Sequence, residues 1–392
     1  MELETTYGAH NYHPIPVVIA KAKGVFVWDP EGKKYIDMLS CYSALNQGHR
    51  HPKIIKAAKE QMELVTLTSR AFFNNKLGPF LKKLTKVTGM EMALPMNTGA
   101  EAVETGMKMA RRWAYRKKMV PEGLAEIIVC ANNFHGRTTT IVGFSSDEDS
   151  RAGFGPFTPG FKVIPYDDVP ALEAAITPNT AAFLVEAIQG EAGVIVPSEG
   201  YLKKVREVCT KNNVLLMLDE IQTGFCRTGK MFCFQYEGIK PDILLVAKAL
   251  GGGIMPISAV LSSKEIMSVF TPGSHGSTFG GNPLACAIGI AALDVLIDEK
   301  LDKRATKLGA YFMKRLKEMK NPLFKEVRGK GLLIAVELTK DAGPARKHTE
   351  ALMRNGLLAK ETHDTTIRFA PPLIIKKEEI DTAIAIIKKT IK

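Results

Sequence analysis

The chain has 392 residues, which is enough to bury a large core and to form two or three domains. Its hydrophobic content of 45% and charged content of 24% are those of an ordinary globular protein, and they exclude a disordered chain. The formal net charge is +12. However, the Lys and Arg residues are spread along the chain, and no nucleic-acid-binding module is recognisable. We therefore expect no nucleic-acid partner.

The termini and the cysteines bear on the cellular compartment. The first residues are acidic, without the apolar run of a signal peptide or the Arg-rich character of a transit peptide. The most apolar helix candidate, residues 284–297, is interrupted by Asp294 and is too short to span a bilayer. The six cysteines form no CxxC pair and no short metal-ligand cluster. The sequence thus predicts a cytoplasmic protein with reduced thiols, no membrane partner and no metal site.

The middle of the chain alternates short apolar runs with helical patterns, such as the one over residues 198–212. This alternation predicts an α/β domain with a mostly parallel sheet, whose ligands collect beyond the carboxyl ends of the strands. The runs that predict buried strands are residues 126–130, 181–185, 214–218, 243–246 and 257–261.

The pattern of predicted helices and strands changes after about residue 297. A basic amphipathic helix over 301–319, a strand over 332–338 and a final helix over 377–392 predict a smaller α+β domain. We expect three parts: an N-terminal arm (1–45) that packs with the small domain, a large α/β domain (46–297) and the small C-terminal domain (298–392).

Two chemically distinctive residues follow neighbouring strands. Asp219 ends the apolar run 214–218, and Lys248 comes just after the run 243–246. A lysine and an acid at one sheet edge suit pyridoxal phosphate, which needs a lysine to carry it and an acid to keep its pyridine nitrogen protonated. The alternative is a salt bridge that closes two strand ends. A P-loop at Gly224–Lys230 is disfavoured because Met231 stands where the magnesium-binding hydroxyl is required.

Phosphate could be bound at the start of a helix. Thr98 to Glu101 has the pattern of a capping box, so a helix begins near Gly99 and Ala100 with free amides. A second candidate is the glycine-rich loop 273–283, which carries the hydroxyls of Ser277 and Thr278.

The segment 133–137 follows the first of the predicted strands. In it, Phe134 could stack on a cofactor ring, His135 could support the ring, and Arg137 could hold a carboxylate. Alternatively, the segment contains only a packed Phe and a solvated Arg.

Over nearly its whole length the chain resembles the class III, fold-type-I pyridoxal-phosphate aminotransferases, and within them the ornithine-specific branch. Two residues depart from the usual motifs, Ala187 where proline is common and Phe279 where tyrosine is common. The stretches that carry the resemblance are residues 7–14, 94–102, 133–137, 189–193, 219–224, 248–253 and 276–283.

The resemblance implies catalytic and cofactor-binding roles. Lys248 would bind the cofactor and move the proton, and Asp219 would pair with the pyridinium nitrogen. Gln222 would contact the phenolic oxygen, and a homodimer would place Thr278 of one copy in the active site of the other. The implied cofactor-binding residues are Thr98, Gly99, Ala100, Phe134, His135, Asp219, Gln222, Lys248, Ser277 and Thr278.

The resemblance also implies the reaction, which is ping-pong transfer of the δ-amino group of ornithine to 2-oxoglutarate. Arg368 would bind the α-carboxylate of 2-oxoglutarate and would be masked by Glu191 while ornithine reacts. The implied substrate-binding residues are Tyr12, Tyr42, Arg137, Glu186, Glu191 and Arg368. The alternatives are an acetylornithine or 4-aminobutyrate aminotransferase and, from a different class, a non-catalytic basic binding protein on the same fold.

Overall fold

The centre of the structure is a seven-stranded sheet flanked by helices, seen in a computed structural model that describes residues 1–392. All strands run parallel except Ser258–Ser262, which is antiparallel to both of its neighbours. In spatial order the strands are Met92–Met96, Ser258–Ser262, Ile243–Val246, Leu215–Asp219, Thr180–Glu186, Glu126–Cys130 and Phe161–Ile164.

The predicted α/β class and the five predicted strands are confirmed, two of them with the same limits: Glu126–Cys130 and Ile243–Val246. The two edge strands were not predicted. Phe161–Ile164 is only partly buried and contains Lys162, and Met92–Met96 contains Pro95, so neither has the unbroken apolar run of a central strand.

The predicted helices over 301–319 and 377–392 and the helix predicted to begin near Gly99 are all present. Gly99–Arg116 packs on strands of the central sheet, whereas Leu301–Glu318 and Ala345–Arg354 pack on C-terminal strands. No helix combines the length and the apolarity needed to cross a membrane. The helices are Glu2–Tyr7, Pro52–Met62, Leu77–Thr88, Gly99–Arg116, Thr139–Gly143, Glu148–Arg151, Val169–Ala175, Tyr201–Lys211, Lys264–Met267, Pro283–Asp298, Leu301–Glu318, Ala345–Arg354 and Lys377–Thr390, with short 3₁₀ turns at Cys233–Tyr236, Lys248–Gly251 and Lys340–Ala342.

Two smaller sheets lie outside the central one. An antiparallel sheet is built from C-terminal strands in the order Phe324–Lys330, Leu333–Leu338, Thr366–Phe369 and Lys360–Thr362. The other sheet contains the arm strands Lys21–Lys23, Phe26–Trp28 and Lys34–Asp37, and the last of these pairs in parallel with Leu357–Leu358.

The arm therefore shares a sheet with a C-terminal strand. It then enters an unusual turn, Ser40–Ser43, in which all four residues have φ between 45° and 73°. Left-handed backbone is costly for residues other than glycine, so the surrounding contacts must hold it. The domain limits at residues 45 and 297 stay a prediction.

At Gly309 the helix Leu301–Glu318 passes close to Gly331, in the turn between the strands Phe324–Lys330 and Leu333–Leu338. A Cβ atom added there would lie 1.9 Å from the carbonyl oxygen of Gly331. Because that obstacle is backbone, Gly309→Ala should lower the free energy of unfolding by about 1–3 kcal/mol, despite the higher helix propensity of alanine. Thermal unfolding measures the change.

Gly78 is the matched control, since it lies in the helix Leu77–Thr88 with open space around its Cα. Gly78→Ala should leave the unfolding temperature unchanged or raise it slightly. Equal unfolding temperatures for both variants would contradict the close contact at Gly309.

Candidate active site

A cavity of about 530 Å³ opens at the carboxyl edge of the central sheet, where sequence analysis placed the reactive residues. The strands Thr180–Glu186, Leu215–Asp219 and Ile243–Val246 end there side by side. Of the predicted site residues, the cavity wall contains Thr98, Gly99, Ala100, Phe134, His135, Glu186, Asp219, Gln222 and Lys248.

Lys248 projects into this cavity from a strained position. Its φ is +47°, at the start of the 3₁₀ turn that follows the strand. Burial lowers the pKa of the Lys248 amine, and nearby Arg368 lowers it further against the opposing effect of Glu191 and Asp219. A lysine with a lowered pKa is more often neutral and therefore nucleophilic.

Asp219 does not pair with Lys248, so the salt-bridge alternative is wrong. One carboxylate oxygen, Oδ2, lies 2.7 Å from Nδ1 of buried His135, and Oδ1 accepts the amide of Ile221 at 2.9 Å. Burial opposes a charge on His135, but Asp219 and Glu186 hold the pKa of His135 above its usual value. The His135 Nε2 atom is buried without a partner.

Glu186 binds backbone groups. Its Oε2 accepts the amide of Phe134 at 3.1 Å, and its Oε1 accepts the amide of Gly190 at 3.3 Å. Burial raises the pKa of Glu186 to about 7. In this arrangement the carboxyl group joins the loop that carries Phe134 to the loop that carries Glu191.

The helix Gly99–Arg116 presents its N-terminus to the cavity, as predicted. Thr98 and Glu101 form the capping box: Oγ1 of Thr98 accepts the amide of Glu101 at 3.2 Å, and Oε2 of Glu101 accepts the amide of Thr98 at 2.6 Å. Gly99 packs closely against Ile221: a Cβ atom added to Gly99 would lie 3.3 Å from two carbons of the Ile221 side chain. Free amides at a helix start are suited to a phosphate group.

The second phosphate candidate is only partly brought to the site. Oγ of Ser277 accepts a hydrogen bond from Asn97 at 2.9 Å, next to the capping box. Thr278 is exposed and lies outside the cavity wall of this copy.

Buried Arg368 forms an ion pair with the partly exposed Glu191 beside the cavity. Nη1 of Arg368 lies 2.6 Å from Oε1 of Glu191, and Nη2 lies 3.3 Å from Oε2. Gln222 also donates to Oε1, at 3.0 Å. Burial disfavours a charged carboxyl here, yet Arg368 outweighs it and lowers the pKa of Glu191 to about 2. The guanidinium of Arg368 is therefore neutralised by this chain's own carboxylate.

The remaining predicted substrate residues lie at the rim. The Tyr42 ring centroid is 4.9 Å from Cζ of Arg368, and Tyr12, which is 76% exposed, is close enough to add to the raised pKa of Tyr42. Burial is the main cause of that raised pKa. Arg137 is exposed, with its guanidinium 5.8 Å from the Phe134 ring. Tyr12, Tyr42 and Arg137 do not line the cavity itself.

Comparison with known proteins assigns the family. Residues 7–391 match the family described as aminotransferase class-III. The chain belongs to this family. A relative from Brevibacillus brevis named ornithine aminotransferase is 64% identical over 391 residues, covering 100% of this chain and 97% of the relative.

Solved structures agree with the fold of this class-III aminotransferase. An ornithine aminotransferase from Toxoplasma gondii is 49% identical with a TM-score of 0.98, covering 100% of this chain and 93% of its own. An acetylornithine aminotransferase from Elizabethkingia anophelis is 52% identical with a TM-score of 0.91, covering 100% of this chain and 97% of its own. The predicted fold and family are confirmed.

The site of this class-III aminotransferase fits pyridoxal phosphate. A lysine of lowered pKa without an ion pair, a carboxylate backed by a buried histidine and a helix N-terminus converge on one cavity. A volume of about 530 Å³ is in the range of small-molecule sites. Apolar Phe134 and Ile221 on its wall suit an aromatic ring.

Sequence reasoning missed several lining residues. Cys41 and Leu45 come from the arm, and Gly253 passes so close that a Cβ on it would lie 2.2 Å from Cδ2 of Leu45. Gly190 is similarly confined, with Oε1 of Gln222 at 2.1 Å from its virtual Cβ. The run of glycines after Lys248 indicates a close backbone approach and could have identified Gly253. Nothing in the sequence around Cys41 and Leu45 indicates that they line the cavity.

The ion pair predicts how a neutral residue at position 191 affects dicarboxylate binding. In Glu191→Gln, Arg368 keeps its charge but loses its carboxylate, so glutarate used as a probe should bind at least about tenfold more tightly. Calorimetry on the cofactor-loaded protein measures the dissociation constant. Equal affinity in wild type and variant would contradict the masking of Arg368.

The pH dependence follows from the low pKa of Glu191. Because its pKa falls from 4.5 to about 2, the stability that its ionised form contributes is present above pH 4.5 and is lost as the pH falls toward 2. The ratio of wild-type to variant dissociation constants should therefore be the same at pH 5.5 and pH 8. A ratio that collapses at pH 5.5 would contradict this assignment.

Proposed function

We propose that the chain is an ornithine:2-oxoglutarate δ-aminotransferase that yields glutamate-5-semialdehyde and glutamate. The Brevibacillus brevis relative, at 64% identity over the whole chain, carries the name ornithine aminotransferase. The observation that carries the proposal is the ion pair of Arg368 with Glu191, which lies within electrostatic range of Lys248. An arginine masked in this way can bind the α-carboxylate of 2-oxoglutarate while it leaves the α-carboxylate of ornithine unbound.

Pyridoxal phosphate, when bound, supplies an electron sink for the substrate carbon that loses its proton. Lys248 is the group that would take and return this proton, because burial lowers the pKa of its amine. Asp219, oriented by His135, holds a negative charge for the pyridine nitrogen. Gln222, which lines the cavity, would contact the phenolic oxygen.

Phe134 would stack on the ring, since its backbone is fixed by Glu186 and its side chain lines the cavity. Thr98, Gly99 and Ala100 would hold the phosphate at the start of the helix. Ser277 supports them through its contact with Asn97.

Ornithine binds with its δ-amino end toward Lys248 and its α-amino acid end at the rim. Tyr12 and Arg137 are exposed there, and the ring of Tyr42 lies against Arg368. While Glu191 occupies Arg368, the α-carboxylate of ornithine gains nothing by entering deeply. The distal amine is therefore the one presented for reaction.

2-Oxoglutarate binds in the opposite sense, with its α-carboxylate on Arg368. Breaking a buried ion pair costs about 3–5 kcal/mol when one charge is left alone. The incoming carboxylate avoids that cost because it takes the place of Glu191. Gln222, which touches both members of the pair, remains beside Arg368 during the exchange.

The working form is a cytoplasmic homodimer in which a second copy supplies Thr278. Thr278 is exposed and outside the cavity of its own copy, on a surface loop next to Phe279. Phe72, Phe73 and Phe279 are more than half exposed, and a second copy would cover such apolar side chains. The three-part division at residues 45 and 297 belongs to the same proposal.

Acetylornithine aminotransferase is the second candidate, because a structure of that name is 52% identical to the chain. Steady-state kinetics on ornithine, N-acetylornithine and 4-aminobutyrate distinguish the candidates. The proposal requires the highest kcat/KM for ornithine. A higher value for N-acetylornithine would replace it with the second candidate.

Lys248→Ala should abolish turnover, because no other amine lines the cavity. Borohydride should attach the cofactor irreversibly to wild-type protein, with the label on Lys248. Lys240→Ala, at an exposed position, is the matched control and should keep full activity. Circular dichroism checks that both variants fold. Turnover by Lys248→Ala, or a wild-type protein that takes up no cofactor, would refute the enzyme proposal.

Tyr42→Leu should raise 4-aminobutyrate activity relative to ornithine activity, because it removes the ring that lies over Arg368. Leucine is preferred to a β-branched residue since Tyr42 has φ +57°. The ratio of the two kcat/KM values is expected to change about tenfold or more. An unchanged ratio would remove Tyr42 from the determinants of specificity.

A further inference from the structure

Arg227 is a fully buried charge that the proposed reaction does not use. It lies in Gly224–Lys230, the segment whose pattern begins like a P-loop, and it is 0% exposed. No carboxylate pairs with it, and burial lowers the pKa of Arg227 to about 9. Burying a cation costs free energy unless hydrogen bonds compensate for the lost hydration, so the bonds that Arg227 makes with its neighbours matter.

The guanidinium donates to four neutral acceptors. Nη1 donates to the carbonyl oxygens of Leu332 and Pro371 at 3.0 and 2.6 Å. Nη2 donates to Oγ of Ser40 and Oδ1 of Asn46 at 3.0 and 2.5 Å. Ser40 belongs to the arm and Asn46 directly follows it. Leu332 precedes the strand Leu333–Leu338 of the small sheet, and Pro371 lies in the segment that follows Arg368.

The same segments are joined to each other around Arg227. Oγ of Ser40 donates to the carbonyl of Ala370 at 2.6 Å, and the amide of Leu373 donates to the carbonyl of Asn46 at 2.9 Å. Asn46 Nδ2 donates back to Phe225, two residues before Arg227, at 2.8 Å. Arg227 is thus the centre of one buried polar network.

Two of the proposed substrate-binding residues lie on segments that this network holds. Tyr42 follows Ser40 by two positions, inside the left-handed turn, and Arg368 precedes Pro371 by three positions. The ring of Tyr42 and the guanidinium of Arg368 then meet at 4.9 Å. The two terminal nitrogens of Arg227 therefore hold the two segments that carry Tyr42 and Arg368, one at Ser40 and the other at Pro371.

We propose that Arg227 is a positioning residue that fixes Tyr42 against Arg368 and thereby sets substrate specificity. The inference rests on the roles proposed above for those two residues. Arginine is required because its planar fork reaches acceptors on two sides, whereas the single nitrogen of a lysine cannot reach all four. The left-handed turn at Ser40–Ser43 is held in place by the same bonds.

The test compares Arg227→Lys with Arg304→Lys. Arg304 is a matched control because it also donates to backbone carbonyls of the C-terminal segment, those of Leu373, Ile374 and Ile375, without touching the arm. Arg227→Lys should raise KM for 2-oxoglutarate and the ratio of 4-aminobutyrate to ornithine activity, each about tenfold. Arg304→Lys should change neither. Equal changes in both variants, or none in Arg227→Lys, would overturn the proposal.

A second measurement does not depend on activity. Cys41 is the only exposed cysteine and lies in the left-handed turn between Ser40 and Tyr42. Iodoacetamide should alkylate Cys41 several-fold faster in cofactor-loaded Arg227→Lys than in wild type or Arg304→Lys. If ornithine proves to be the wrong substrate, this rate still tests whether Arg227 holds the turn, and equal rates would refute it.

Ser40→Ala provides the test if Arg227→Lys fails to fold. It removes one acceptor at the start of the turn and leaves the other three bonds of Arg227 in place. It should show the same changes in Cys41 labelling and substrate ratio, with smaller size. A Ser40→Ala protein with wild-type values in both would also refute the proposal.

Discussion

The constraint on which the site depends is that Lys248 must stay free of a salt bridge while three carboxylates surround it. Each of the three has another partner: Asp219 binds His135, Glu191 binds Arg368, and Glu186 accepts two backbone amides. A lysine locked to any one of them would be held as a cation and would lose its nucleophilicity. The surrounding fold therefore serves to supply those partners.

The partners come from distant parts of the chain. His135 follows the strand Glu126–Cys130 of the central sheet, whereas Arg368 lies on Thr366–Phe369 of the small antiparallel sheet. The pair Arg368–Glu191 consequently joins the two sheets at the cavity. Packing of the small sheet and the arm against the central sheet decides the charge balance around Lys248, although neither contributes the reactive amine.

Much of this could be predicted from sequence where the signal is local. The apolar runs gave the central strands, and the pattern Thr98 to Glu101 gave the helix start, because both depend on near neighbours in the chain. The pairing of Asp219 was not predictable, since two candidate partners, Lys248 and His135, lie at the same sheet edge. The left-handed turn at Ser40–Ser43 and the network of Arg227 depend on contacts more than 100 residues apart, such as the one with Pro371.

The exchange of carboxylates proposed for this site depends on the different exposure of Arg368 and Glu191. Arg368 is 1% exposed, and only its Nη1 and Nη2 atoms reach Glu191, whose side chain is 27% exposed. Glu191 is thus the movable member of the pair, and Arg368 stays where the small sheet and the carbonyl of Gly190 hold it. In the exchange proposed above, the substrate carboxylate takes the place of Glu191, so the buried cation keeps a counter-charge. That exchange requires the movement of one partly exposed side chain, while Arg368 keeps its position.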